Sequence, residues 1–415
     1  MRILLTGLNY KTAPLEVREG VSFSKEQLPD ALPMLAEQVG EGVILSTCNR
    51  TEVYTIGVEP AASAGGIRKF IADYHGICPD EVAPYLYDRT DRDAVRHLFR
   101  VTSGLDSMII GESEILGQVR ESLTAAAESH SLRAPVSRVF HRAIRTGRRV
   151  REETKVGHNA LSISSAAVRL AKQVLGNLSG LTVLLIGAGE AGQLVAKALR
   201  TTAAGDLMIA NRTPERAQEL ARYMGGTSIP YNSLGPSLEN ADIVIVATES
   251  PEYVLTTDSV ASAASARNGR GLFFFDLAVP RNVEPKAASI DSVNLFNIDD
   301  LSSIAEENRD ERKKAAAGAE KIIEEEVARF MSWWEALETV PLITALREQA
   351  ENIRKGELER ALRDMPDLSA QNAEVLEAMT RSIVNRLLHN PTVSIKQRNN
   401  DAHLRAARDL FKLWD

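Results

Sequence analysis

Cys48 stands in Ser46-Thr47-Cys48-Asn49-Arg50-Thr51, between the strand-like runs Val43 to Thr47 and Glu52 to Val58, so a nucleophilic side chain falls at a turn. The thiolate is the reactive form of cysteine, and Arg50 beside it is a cation that would either stabilise that anion or hold a substrate carboxylate. A small, poorly reactive turn residue is the alternative the local sequence leaves open. Far downstream, Gly187-Ala188-Gly189-Glu190-Ala191-Gly192 follows the apolar run Leu181 to Ile186 and leads into helix-forming Gln193 to Arg200. In that strand, loop and helix context the glycines make a dinucleotide loop. Gly187 permits the tight turn, Gly189 admits the pyrophosphate, Gly192 lets the helix pack on its strand, and the helix N-terminus faces the phosphates. A sulfur nucleophile and a hydride carrier on one chain point to a covalent acyl intermediate reduced by hydride.

Further groups qualify that chemistry. An acid that binds the ribose hydroxyl commonly ends the second strand of such a domain, but this chain has Ala210-Asn211-Arg212-Thr213 there, with Arg216 one helical step on. An arginine attracts a 2′-phosphate, so NADPH is expected over NADH, the alternative being a plain surface arginine. His97, in Ala94-Val95-Arg96-His97-Leu98-Phe99, is a candidate general acid or carbonyl-polarising group, or else a core or helix-surface histidine. The segment from Ser107 through Gly111-Glu112-Ser113-Glu114 to Gln118 sets two carboxylates and an amide around a predicted helix start. Glu114 and Gln118 share a helix face suited to an ammonium or hydroxyl; acids that simply complement the helix dipole are the alternative. Between Arg133 and Lys155 basic residues far outnumber acids, and Arg138, Arg142, Arg145 and Arg149 recur at helical spacing as one stripe. Such a stripe tracks phosphates or forms salt bridges with a neighbouring helix. Glu324-Glu325-Glu326 and Arg312-Lys313-Lys314 read as solvated helix faces. No metal-ligand spacing is present.

The elements that must position these groups fall into three zones. Residues Arg2 to Leu8, Ser24 to Glu37, Val43 to Thr47, Glu52 to Val58, Gly66 to Tyr74 and Tyr85 to Asp88 read as βαββαβ, a ferredoxin-like unit whose hairpin carries Cys48. Helical sequence follows from Asp91, broken near Gly104, Gly111 and Pro135. Buried parallel strands are expected at Leu181 to Ile186, Leu207 to Ala210, Ile243 to Ala247 and Leu272 to Leu277, a Rossmann-type domain. Beyond Asp299 the sequence turns charged, alanine-rich and all-helical, with Pro341 marking a fresh helix start.

The 415 residues suffice for two or three domains, each with its own core, and 44% hydrophobic with 25% charged residues is an ordinary globular balance. A net charge of −7 argues against a chain that coats nucleic acid, while leaving room for a local basic patch. Two cysteines, Cys48 and Cys78, are too few for a disulfide framework or a cysteine-rich zinc site, which fits a reducing cytoplasm. The start has no signal-peptide pattern and no apolar run is long enough to span a bilayer, so no membrane association is expected.

In this order these residues resemble glutamyl-tRNA reductase. The resemblance covers essentially the whole chain and is carried by Ser46 to Glu52, by Gly104-Leu105-Asp106-Ser107 running through Gly111 to Gln118, by Gly187 to Gly192, and by Asp276-Leu277-Ala278-Val279-Pro280-Arg281. It implies a catalytic domain over 1–155, an NADPH-binding Rossmann domain over 156–298 and a helical dimerisation domain over 299–415, joined by a long spinal helix. It also implies that Cys48 takes the glutamyl group from glutamyl-tRNA(Glu) as a thioester, that NADPH reduces it to glutamate-1-semialdehyde, and that the chain is a homodimer. Glutamate-1-semialdehyde aminomutase is a candidate partner; DNA is not. Thr47, Asn49, Arg50, Ser107, Glu112, Ser113, Glu114 and Gln118 would line the glutamyl pocket, and His97 matches a histidine important for activity. Two rivals remain: a dehydrogenase of a free small molecule, resembling shikimate dehydrogenase in Asn211-Arg212-Thr213, and a tRNA-binding scaffold with a decaying Rossmann domain.

Overall fold

The computed structural model describes the chain apart from residues 130, 131, 133, 155, 157–161, 201, 203, 302–308, 367, 398–400 and 413–415, and apart from the side chains of 309–315, 338, 397 and 401–403. Arg133 and Lys155, and the side chains of Arg312, Lys313 and Lys314, therefore lie outside the described residues. Two compact units are present, Met1–Val327 and Ala328–Asp415.

The first sheet is built from β1 (Arg2–Asn9), followed by α1 (Leu15–Gly20) and α2 (Leu28–Gln38), then β2 (Gly42–Thr47), β3 (Arg50–Gly57), α3 (Pro60–His75), α4 (Pro79–Val82) and β4 (Tyr87–Thr90). Its order is β2-β3-β1-β4, antiparallel throughout, with β1 inserted between β3 and β4 as the βαββαβ reading requires. Thr47 pairs with Arg50, which leaves Cys48 and Asn49 as the two residues of the turn. That turn is held: Asn49 N–H donates to Thr47 Oγ1 at 3.2 Å, and Tyr10 N–H donates to the Asn49 carbonyl at 2.9 Å. Next come α5 (Asp91–Thr102), α6 (Glu114–Glu128) and α7 (Ala134–Glu153), interrupted around Gly104 to Gly111 and ahead of Pro135, where the sequence places the breaks.

After α8 (Ile163–Leu175) the chain winds the second sheet: β5 (Val183–Ile186), α9 (Glu190–Leu199), β6 (Leu207–Ala210), α10 (Pro214–Met224), β7 (Thr227–Ile229), α11 (Leu234–Asn240), β8 (Ile243–Val246), α12 (Thr257–Ala266), β9 (Leu272–Asp276) and β10 (Val293–Phe296). All strands are parallel in the order β10-β9-β8-β5-β6-β7, the doubly wound arrangement of a Rossmann domain. Strand sequence follows from this. Val183, Leu185, Ile243 and Ile245 fill the core on one face and Leu184, Ile186, Val244 and Val246 fill it on the other, so the central strands are apolar without alternation. β7 and β10 escape sequence reading because they are short edge strands of mixed exposure.

The remainder is helical: α13 (Arg309–Asp364), α14 (Ala370–Gln397) and α15 (Asp401–Phe411). Leu342, Leu346, Ile395, Leu404 and Ala407 form the core of the second unit. Pro341 does not begin a helix; it lies inside α13, whose 56 residues absorb the loss of one backbone hydrogen bond because regular turns continue on both sides. Among the described residues no helix is long and apolar enough to cross a membrane.

Charge complementarity seats the start of α13 on the first domain. Arg100 pairs with Glu320, Arg92 and Arg96 with Glu324, Arg149 with Glu325 at 3.2 Å, and both Arg142 and Arg149 with Glu326 at 2.8 and 2.9 Å. Two expectations are thereby corrected. Glu324 to Glu326 are not a solvated face, and Arg142 and Arg149 belong to an interhelical ion-pair row rather than to a phosphate track, because facing runs of opposite charge neutralise each other locally. Arg138 and Arg145 are exposed on the same helix. Glu326 is the buried member of the row, so Glu326→Ala is expected to destabilise the chain by about 1–3 kcal/mol, and by more than Glu324→Ala at the half-exposed end of the row. Chemical denaturation of both variants checks this, and equal losses would deny Glu326 its special place.

Candidate active site

Cys48 is half-buried and packs against an apolar cluster that joins Leu15 and Ile109 to Ala188, Ala247 and Leu277 of the second sheet's domain. The fold thus packs the thiol against the same apolar cluster that Ala188 of the glycine loop joins, from far away in sequence. Burial pushes the Cys48 thiol well above its usual range, the Glu112 and Glu114 carboxylates push it further, and the Arg18 guanidinium pulls it back. The cation serving the thiol is therefore Arg18, and the expectation that Arg50 stabilises the anion is corrected. Arg18 donates from Nη1 to the Cys48 carbonyl at 2.6 Å.

Arg50 points into the first domain instead. It is 2% exposed, with Nη1 donating to Glu52 Oε1 at 2.7 Å and to Asp106 Oδ2 at 3.2 Å, and Nη2 donating to the Asp106 carbonyl at 2.6 Å. Glu52 is wholly buried and also accepts from the hydroxyls of Tyr54 and Tyr87, each at 2.6 Å, and from His97 Nε2 at 2.8 Å. Burial alone would raise a carboxyl so placed, but His97, Arg50 and Tyr54 outweigh it and hold Glu52 well below the usual carboxylate range. Since an ionised carboxylate only accepts, His97 presents Nε2–H to it. His97 is thus a buried histidine behind Arg50, in contact with Glu52. Lys11 completes the group, donating Nζ to Asp106 Oδ1 at 2.5 Å.

Asp106 and Ser107 open the loop that ends at Glu112, and Arg151 of α7 holds its far end by donating to the carbonyls of Gly111 and Glu112. Ser113 then caps α6, with Glu114 in the first turn and Gln118 half-buried one turn on. An acid that merely complements a helix dipole would have a lowered pKa. Glu114 is instead pushed up to about 7, by burial first and then by the charges of Glu112 and Glu190, and burial raises Glu112 as well. Glu190 belongs to the glycine loop, so these acids lie where the two domains meet. Asn49 Oδ1, Ser107 Oγ, Glu112 Oε2 and Glu114 Oε1 are buried and have no well-aligned hydrogen-bond partner among the described residues, the Ser107 hydroxyl lying close enough to the Glu112 carboxyl only to ease its charge. Unpartnered buried polar atoms are costly, and four of them on the residues named from sequence mark a place that receives polar groups.

The glycine loop fits a dinucleotide. Gly187 has φ +110, and a Cβ there would stand 2.1 Å from the Ala247 carbonyl oxygen. A Cβ on Gly192 would meet the Gly187 carbonyl oxygen at 2.0 Å, whereas one on Gly189, the N-cap of α9, would enter open space. Asn211 fixes the loop by accepting from Ala188 N–H at 3.1 Å while its Nδ2 donates to the Thr213 carbonyl. Arg212 and Arg216 lie exposed beside it, at the end of β6 and the start of α10. From sequence alone Arg18, Tyr54 and Tyr87 go unnoticed, and Glu52 and Asp106 figure only as members of the motifs that carry the resemblance, with no role attached. The available signal was a run of charged and hydroxyl side chains in Arg50 to Thr55, all of it buried in the sheet.

Sequence models of two families match in order along the chain. The glutamyl-tRNAGlu reductase N-terminal domain matches residues 6–154 and the glutamyl-tRNAGlu reductase dimerisation domain residues 318–413, with shikimate / quinate 5-dehydrogenase between them over 169–304. The chain is 42% identical to glutamyl-tRNA reductase of Syntrophotalea carbinolica, covering 100% of this chain and 95% of that one. It is 43% identical to glutamyl-tRNA reductase of Halalkalibacterium halodurans, covering 99% and 90%. Among solved structures, glutamyl-tRNA reductase from Methanopyrus kandleri matches with a TM-score of 0.52 and 37% identity over 99% of this chain and 98% of that one. The doubly wound sheet and the dehydrogenase match together mark the middle domain as one for a nicotinamide cofactor.

Glu114 generates a prediction. Its carboxyl ionises near 4.5 when exposed and near 7 when folded, so between those values the native state holds the extra proton and stability falls as pH rises. Glu114→Gln is expected to flatten that decline and to be the more stable protein at pH 8, by about 1–3 kcal/mol. Thermal melts from pH 4 to pH 8 measure it; a variant that melts below the parent at pH 8 would refute the buried, uncompensated carboxylate.

Proposed function

The chain belongs to the glutamyl-tRNA reductase family, and from that premise we propose that it reduces the glutamyl group of glutamyl-tRNA(Glu) with NADPH to glutamate-1-semialdehyde, releasing tRNA, at the first committed step of five-carbon tetrapyrrole synthesis. One observation carries the reading: the four unpartnered polar atoms on Asn49, Ser107, Glu112 and Glu114, grouped electrostatically with the Cys48 thiol. Asn49 Oδ1 only accepts, and the Glu112 and Glu114 oxygens do so once ionised, so they call for a donor, and the α-ammonium of a glutamyl ester has three protons to give. Thr47 shapes the turn, Ser113 and Gln118 border the acids, and Arg50 lends the pocket its charge while held by Glu52 and Asp106. His97 supports Arg50 through Glu52.

In the reaction the Cys48 thiol gives its proton to water, the thiolate attacks the ester carbonyl to form a carbon–sulfur bond, and the carbon–oxygen ester bond breaks as the ribose oxygen leaves with its electron pair and takes a proton back from water. Burial holds the thiol up first and the charges of Glu112 and Glu114 add to it, so an ammonium between those two acids would offset their part and shift the thiol toward the nucleophilic form. Sulfur donates weakly into the carbonyl, which leaves the thioester a better hydride acceptor than the ester. Gly187 to Gly192 would hold NADPH, with Arg212 as the cation for a 2′-phosphate and Asn211 and Thr213 shaping the loop, and the cofactor would supply that hydride. The carbon–sulfur bond then breaks and Cys48 regains its thiolate as the aldehyde leaves.

The proposed division of labour assigns 1–155 to glutamyl-tRNA recognition and catalysis, 156–298 to NADPH and 299–415 to homodimer formation, in the cytoplasm. Glutamate-1-semialdehyde aminomutase would take the product. Of the basic stripe, Arg138 and Arg145 remain the proposed tRNA phosphate contacts. Val375, Met379, Ile383 and Leu387 recur every four residues along α14 and are all exposed, Leu387 at 69%, which favours a second copy as their cover.

Cys48→Ser is expected to abolish the acyl-enzyme trapped from glutamyl-tRNA without NADPH, as judged by mass spectrometry; full turnover in that variant would end the thioester mechanism. Arg212→Ala should lower kcat/KM for NADPH by about 10–100-fold, the worth of a charge-assisted phosphate contact, and leave NADH use unchanged. Ile383→Glu with Leu387→Glu should yield a monomer by sedimentation; a persistent dimer would place the interface elsewhere.

A further inference from the structure

α1 is six residues long, yet it touches both the catalytic turn and the dinucleotide-binding domain. Its Arg18 is 2% exposed and donates from Nε to the Ala13 carbonyl at 3.3 Å, from Nη1 to the Cys48 carbonyl at 2.6 Å and from Nη2 to Asp299 Oδ1. Asp299 sits in the 3-10 turn Ile298–Leu301 after β10, and because Ile298 and Leu301 lie in the core of the second sheet's domain this turn packs as part of that domain, just past the 298/299 boundary read from sequence. One residue on from Arg18, Glu19 accepts from the Arg281 backbone N–H at 2.6 Å and from Arg281 Nη2 at 2.8 Å, and Arg281 ends the loop that follows β9. We propose that Arg18 is a positioning residue for the reaction, holding the Cys48 turn and the dinucleotide-binding domain in one frame through Asp299. For its functional consequence this rests on Cys48 being the acyl carrier; the geometry stands without it.

The contact to the carbonyl of Cys48, rather than to its sulfur, fixes the backbone and leaves Sγ free to react. A buried guanidinium also acts on the thiol through space, against Glu112 and Glu114, which are the other charges facing it. Asp299 partly neutralises that guanidinium, and its own side chain is 41% exposed. The two ends of this ion pair therefore act on Cys48 with opposite sign. Without Arg18 the thiol loses its cation. Without Asp299 the cation is less compensated but still held by Ala13 and Cys48. A purely structural role predicts otherwise, since breaking the pair from either end would then loosen the same contact.

The test uses the full chain carrying Cys78→Ser, which leaves Cys48 as its single cysteine, and measures iodoacetamide alkylation from pH 7 to pH 10. Below the thiol pKa the rate follows thiolate, tenfold per pKa unit, so Arg18→Gln should slow alkylation about fivefold or more and Asp299→Asn should speed it about two- to threefold. Arg18→Lys should lie near the parent. In turnover with glutamyl-tRNA and NADPH, Arg18→Gln should lower kcat and Arg18→Lys restore most of it. Alkylation changing in the same direction for Arg18→Gln and Asp299→Asn would overturn the proposal, as would unchanged turnover in Arg18→Gln. Should Arg18→Gln not fold, the sign for the half-exposed Asp299→Asn decides alone, slower or unchanged alkylation counting against it. Full activity in Cys48→Ser would defeat the proposed reaction instead, and leaves opposite alkylation signs standing.

Discussion

The carboxylate of Glu52 is the constraint on which the first domain depends. A charge with no exposed surface survives only when donors replace its water, and here two tyrosines, a histidine and an arginine do so from β3, β4 and α5. Each charge-assisted hydrogen bond is worth about 1.5–3 kcal/mol where an exposed pair would be worth almost nothing, because the low local dielectric strengthens a satisfied network as much as it penalises an unsatisfied one. Through Arg50 the same charge reaches Asp106 and so fixes where the Ser107 to Glu112 loop begins. The turn bearing Cys48 is the far end of the hairpin that Glu52 anchors. Rigidity at the carboxylate becomes placement at the sulfur.

The site is then divided by polarity. Around Glu52 the charged groups Arg50, Asp106 and Lys11 are paired with one another, whereas Asn49, Ser107, Glu112 and Glu114 retain unmet atoms among the described residues. Such a division makes physical sense for a pocket that must be preformed without being filled by its own side chains. Cys48 stands at the boundary, held above its ordinary range by burial and by acids whose charge an incoming ammonium would cancel. The thiol is therefore quiet until it has something to attack.

Much of this was legible in the sequence, and the reasons differ between elements. The hairpin and the glycine loop are local: their residues are neighbours in the chain, and their geometry follows from turn length and the absence of a Cβ. The central strands of the second sheet declared themselves as unbroken apolar runs because both faces are covered. Arg18 was silent because its meaning lies in partners 30 and 281 positions away, reached only after folding, and Glu52 and Asp106 showed as motif members whose distant partners, His97 and Arg50, the sequence does not reveal. The opposing runs of arginine and glutamate were each visible, but nothing in either run says that it faces the other. Pro341 misled for a related reason: a local rule about helix starts yielded to a helix long enough to tolerate one missing bond.

The row of ion pairs between α5, α7 and the beginning of α13 has a consequence of its own. A seam closed by oil could part only by wetting apolar surface, at the risk of sticking to whatever lay nearby. Here Glu324 and its partners remain partly wet, so opening the exposed end would hydrate groups that water already reaches, while Glu326 keeps the buried end shut. Ionic strength becomes a tuning knob: at a screening length of about 8 Å in physiological salt the outer pairs weaken before the inner one. Added salt would therefore weaken the joint unevenly, its half-exposed pairs first and the buried Glu326 contacts last.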